Sequence, residues 1–165
     1  MAAYENIHFA RATDQILSVI AAARDMGANL SATPDRATAD LFERLSHFEN
    51  LHIRPAAEGA KWPSLTNPWG GRMDVEMLPS SRELRLQTTL SPVVCRRMIL
   101  FYAKDAPPLG VQRVEAREEG PVPTTGRMLY DGSEDISRSK LNLSAVKVGC
   151  GEGKQVALIL TIHLP

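Results

Sequence analysis

Between Glu5 and Leu30 the apolar residues Phe9, Ala12, Ile16, Val19, Ile20, Ala23 and Leu30 recur every three or four positions. That spacing puts their side chains on one face of an α-helix. A helix of this length dominates a chain of 165 residues, because the rest of the chain must cover its apolar face. The segment holds no proline, and its one glycine, Gly27, comes near the end. A second stripe, Ala10, Leu17 and Ala21, lies on another side of the same helix. Apolar residues around that much of the circumference exceed what a surface helix of a monomer requires, and they point to a partner on that side.

Thr33-Pro34 is a strong helix start, since threonine caps free amides and proline at the first helical position gives up no needed hydrogen bond. Ala37, Leu41, Leu45 and Phe48 carry the pattern of a second helix over 34–50. The character then changes. Residues 61–71, Lys61 to Gly71, contain two prolines and a glycine pair, which exclude helix and favour tight turns. Met73, Val75 and Met77 alternate with polar neighbours, as do Leu84, Leu86 and Thr88, which predicts a hairpin around Pro79-Ser80-Ser81 with one wet face. Ser91-Pro92 starts a third helix through Val94, Cys95, Met98, Ile99 and Tyr102, expected to stop before Pro107-Pro108 with Cys95 on its buried side. Residues 105–139 read as loop and edge, with strand signals at 111–114 and 128–130. Two closing strands follow, Leu141 to Lys147 and Val156 to Ile162, joined by a glycine-rich turn. The pattern is that of one α+β domain over 1–165, a long N-terminal helix with an antiparallel sheet.

Composition narrows the function. Hydrophobic residues are 44% and charged residues 23%, ordinary for a globular protein, and nineteen basic residues balance nineteen acidic ones. No net field concentrates nucleic acid, and no nucleic-acid partner is expected. The longest apolar runs fall far short of the roughly 20 residues of a membrane helix. Neither a C-x-x-C pair nor a spaced metal pair among His8, His47, His52 and His163 is present, so no metal and no cofactor is expected. Cys95 and Cys150 leave two readings open, one long-range disulfide or two buried thiols. There is no nucleophile elbow. Gly149, Gly151 and Gly153 precede a strand and not the helix that a phosphate loop needs. Asp131 to Asp135 lacks calcium-loop spacing. Arg96-Arg97 with Lys104 reads as solvated surface, and Glu118-Glu119 as an exposed pair. With no catalytic residue singled out, the chain reads as a protein that presents surfaces and is not an enzyme.

The segment Asn67-Pro68-Trp69-Gly70-Gly71, after a long amphipathic helix and before a strand hairpin, resembles the bacterial type IV pilins of the type IVb class and the related pilins of conjugative thin pili. In that family such a turn leads into the sheet, and a strand runs into a Ser/Pro-initiated short helix carrying a cysteine. A second cysteine precedes the last strand. Leu84 to Thr89, Ser91 to Cys95, and Cys150 followed by Val156 to Leu164 match those steps in order. For Trp69 the plain structural reading is core packing under the turn, with Gly70 and Gly71 supplying backbone angles closed to other residues.

The resemblance implies a pilin fold, a Cys95–Cys150 disulfide and a variable region from Arg96 to Gly149, the D-region, turned outward for adhesion or partner contact. A disulfide fits an extracytoplasmic protein. The resemblance also implies a chain that starts part-way along the first helix. The family's basic leader and apolar, membrane-inserted segment with an early glutamate would then lie upstream. The implied function is a structural subunit that polymerises into a type IV pilus or pilus-like filament. Its expected partners are other pilin subunits, the pilus assembly machinery and a host or surface receptor. Its expected location is the inner membrane before assembly and the extracellular pilus after it. Ala10, Leu17 and Ala21 would then touch neighbouring subunits. A soluble periplasmic binding module, a pseudopilin of a secretion system and a small Cys/His hydrolase are the competing readings.

Overall fold

A computed structural model of the protein describes residues 2–26, 33–118, 127–131, 150–151 and 155–164. The chain divides into two compact units, residues 1–84 with 164–165, and residues 85–163. Helices and antiparallel strands make up both, so the fold is α+β, as the alternation of sequence periods predicts.

The first unit opens with helix α1, Ala2–Asp25. Of the predicted stripe Ala12, Ile16, Val19, Ile20 and Ala23 are buried and Phe9 is half-buried, and Ala22, which the stripe did not include, is buried with them. Leu30 lies outside the described residues. Helix α2 spans Pro34–Leu45, with Thr33 at its N-cap accepting a hydrogen bond from the Arg36 amide at 3.3 Å. It ends before the predicted Asn50. The chain tightens there through His47 and Phe48 amides that donate to Arg44 and Leu45, a three-residue closure that ends the regular turn without glycine or proline. Ala37, Thr38, Leu41, Phe42 and Leu45 face inward, where α2 packs on α1 and on strand β3, Arg72–Leu78.

Two short strands precede β3. They are β1, Ile53–Arg54, and β2, Ser64–Thr66, and the order β1-β2-β3 is antiparallel throughout. Part of the region expected to be turn is therefore strand. Met73, Val75 and Met77 of β3 point into the core with Leu65 and Leu41, each fully buried aliphatic side chain contributing about 1.5–3 kcal/mol. One buried polar residue joins them. Thr38, 1% exposed, accepts the Met77 amide on its Oγ1 at 3.1 Å.

A single 3-10 turn, Pro79–Ser81, leads through Arg82, whose φ is 53°, into β4, Glu83–Leu90. In the second unit the strand order is β4, β7 (Val156–His163), β5 (Val111–Glu118), β6 (Arg127–Asp131), with β5 antiparallel to both β6 and β7. Val156, Ala157, Leu158, Leu160, Thr161 and Ile162 of β7 are buried on both of its faces, the mark of an interior strand. The other predicted closing strand, Leu141 to Lys147, lies outside the described residues.

Helix α3 spans Pro92–Leu109 and packs on β5 and β7. It runs through Pro107-Pro108, contrary to the expected stop. Both prolines fall in its last turn, where they remove two amide donors without interrupting a central run, and the stop is Gly110 at φ 75°. Cys95, Met98 and Ile99 form its buried face, and Cys95 is joined to Cys150 with their Cα atoms 5.8 Å apart. Arg96 is not simply solvated surface. It is half-buried, and its guanidinium donates to the Gly151 carbonyl at 3.3 Å, next to the disulfide.

Candidate functional site

Helix α1 leaves one face uncovered within its own unit. Ala10 and Ala21 are exposed, Leu17 is 42% exposed, and the exposure extends upward through Ile7, at 50%, to Ala3. Their spacing is regular. Ala3, Ala10 and Leu17 are seven apart, as are Ile7, Asp14 and Ala21. Two interleaved seven-residue series form one continuous strip along the helix, the spacing with which helices pack side by side. One charge, Asp14, interrupts it. The small residues at 3, 10 and 21 would let another backbone approach closely.

The Asn67 turn is a closed hydrogen-bonded unit. Asn67, 3% exposed, donates its amide to the Gly71 carbonyl and accepts the Gly70 amide on its own carbonyl, both at 2.9 Å. Its side-chain Oδ1 accepts from the Trp69 amide at 3.0 Å and the Gly71 amide at 2.9 Å. Asparagine is the residue that folds back in this way. Gly70 has φ 81°, and a Cβ there would meet nothing, so backbone conformation alone demands glycine. Gly71 needs no such freedom, since its φ is not positive.

Trp69 is half-buried and does not lie fully in the core. Its ring is 5.9 Å from that of His8, which lies 4.1 Å from the ring of Tyr4. His8 is 8% exposed, and its Nδ1 donates to the Tyr4 carbonyl at 3.1 Å. Further along α1, Gln15 donates from Nε2 to the carbonyls of Asn50, at 3.4 Å, and Thr66, at 3.3 Å. Together these contacts fasten the turn to α1. Sequence reading did not single out His8 or Gln15, yet a signal was present. Positions 8, 12, 15, 19 and 22 keep three- and four-residue spacing, so both polar side chains fall on the buried stripe.

The disulfide occupies both cysteines, so Cys95 presents no thiol for nucleophilic chemistry. His47, in the turn after α2, His52, just before β1, and His163, at the end of β7, are all exposed. Among the described residues no group of three or more His, Cys, Asp or Glu side chains could hold a metal ion, and no helix is long and apolar enough to cross a membrane. The predicted outward region 96–149 is described only in part. Its segments 119–126 and 132–149, with Glu119 and the acidic run from Gly132 to Asp135, lie outside the described residues.

Comparisons with protein-family models, with curated proteins and with solved structures gave no match.

Proposed function

We propose that this chain is the folded part of a structural subunit of a type IV pilus or pilus-like filament, with a type IVb-like pilin fold. The observation that carries the reading is the exposed apolar strip of α1, Ile7, Ala10, Leu17 and Ala21, on a helix whose opposite face is buried. Such a strip, with small residues between Ile7 and Leu17, suits a helix packed among copies of itself. The order of parts supports the same reading, from the long helix through the Asn67 turn and β3 to α3 and its disulfide. In this reading an apolar segment upstream of α1 anchors the subunit in the inner membrane and then in the filament core, and α1 carries that core outward into the folded units. The Cys95–Cys150 bond braces the outward-facing region for contact with surfaces or receptors. No chemical step is involved.

The native gene tests this at once. Read in frame upstream of the codon for Ala3, it should encode a short basic leader followed by about 20 apolar residues with one early glutamate. A natural start at Met1 would remove the polymerising segment and refute the filament reading.

A further inference from the structure

Helix α3 carries an exposed apolar pair of its own. Val93 is 62% exposed and Leu100 is 51% exposed, and Arg97 stands exposed between them. These positions are i, i+4 and i+7, which puts the three side chains on one face of the helix. The side of α3 that packs on β5 and β7 is a different one, held by Cys95, Met98 and Ile99. A single exposed aliphatic residue is ordinary, whereas two in line around a charge make a patch.

The middle of the α1 strip has the same plan. Ala10, Asp14 and Leu17 are likewise i, i+4 and i+7, all three are exposed, and the charge again holds the central position. Only its sign differs, a carboxylate on α1 and a guanidinium on α3. Asp14 makes no ion pair among the described residues. The other strip residues of α1, Ala3, Ile7, Ala10, Leu17 and Ala21, include no cation. A second α1 strip laid over Asp14 therefore brings it no opposite charge, and laid in register it brings a second carboxylate, which is costly.

We propose that α3 of one copy docks on α1 of a second copy, with Arg97 on Asp14 and with Val93 and Leu100 against Ala10 and Leu17. The inference rests on the filament reading and gives the filament a direction. The two surfaces differ, so the contact is heterologous. Each copy offers its α1 strip to one neighbour and its α3 patch to another, and such contacts add copies without limit when the rotation does not close a ring. Ala10 leaves room for a larger side chain opposite. The flanking apolar contacts keep water from the ion pair, and the charge match selects the partner helix and its register.

Charge reversal in the source cells tests this, read as recovery of the chain in sheared filaments. Asp14→Arg and Arg97→Asp should each lower recovery about tenfold or more, because each sets like charges face to face. The double variant exchanges the two charges and should return recovery to within about threefold of the unaltered chain. Covalent capture gives a second readout that does not depend on charge. Filaments carrying Asp14→Cys together with Arg97→Cys, treated with a short bifunctional thiol reagent, should yield a ladder of dimers, trimers and longer species, and each single variant should yield none. The two readings fail separately. Filaments that lack the unaltered chain would refute the filament reading and this contact with it. Filaments that contain it would overturn this contact alone if single reversals assemble as well as the unaltered chain, if the double variant is not rescued, or if Asp14→Cys by itself links chains in pairs.

Discussion

Breaking the Cys95–Cys150 bond should cost the protein a large part of its stability. The two cysteines are 55 residues apart, and closing a loop of that length removes about 4 kcal/mol of entropy from the unfolded chain. For a chain of this size that corresponds to a fall in Tm of roughly 8–16 °C. Reduction with a phosphine in denaturant, followed by refolding without oxidant, is the cleanest perturbation, because both cysteines are fully buried and out of the reagent's reach in the folded chain. The Cys95→Ala, Cys150→Ala variant checks it by a second route. Far-UV circular dichroism follows both units, whereas Trp62 and Trp69 report on the first alone, so the two signals separate local from global loss. The dichroism transition should shift by the full amount in urea and on heating. A loss below about 1 kcal/mol would refute the reasoning, since the unfolded loop would then be far from the free chain that the calculation assumes.

Four other substitutions probe the fold and the exposed face of α1. Thr38→Val should lower stability by about 1–3 kcal/mol in urea unfolding, because the Met77 amide loses its partner, and Thr38→Ser should restore most of it. Asn67→Ala removes the acceptor of two amides and should cost about 2 kcal/mol or more by the same assay, whereas Asn67→Asp keeps that acceptor and should cost under half as much. Gly70→Ala should cost about 1 kcal/mol, read as a Tm shift, through its φ of 81° alone. Leu17→Asp should change the stability of the purified chain by less than about 0.5 kcal/mol yet, if the filament proposal holds, abolish its recovery in sheared filaments.

Long periodic elements were the most legible. The stripe from Ala12 to Ala23 and the alternation in β3 and β4 each repeat a spacing several times and, with the Thr33-Pro34 cap, appear as read, whereas β7 is a strand as read but is buried on both faces and does not alternate. Strands β1 and β2 are two and three residues long, too short to show any period, and their pairing is set by the sheet they join. The prolines at 107 and 108 misled for a related reason, since a proline breaks a helix by its position and these fall in the last turn. The exposed face of α1 was visible because Ala10, Leu17 and Ala21 form a second stripe. Its extension to Ala3 and Ile7 needed the burial of the opposite side. Gln15 was missed because a lone glutamine on an apolar stripe carries no mark of the two carbonyls, 35 and 51 positions away, that hold it.

Filament membership is best tested on filaments themselves. Material sheared from the surface of the source cells, resolved under non-reducing conditions and identified by peptide mass spectrometry, should contain this chain with Cys95 and Cys150 joined. An antibody raised against the folded chain should decorate those filaments along their length. Recovery of the chain only from soluble fractions, with sheared filaments that lack it and stay undecorated, would contradict the assignment.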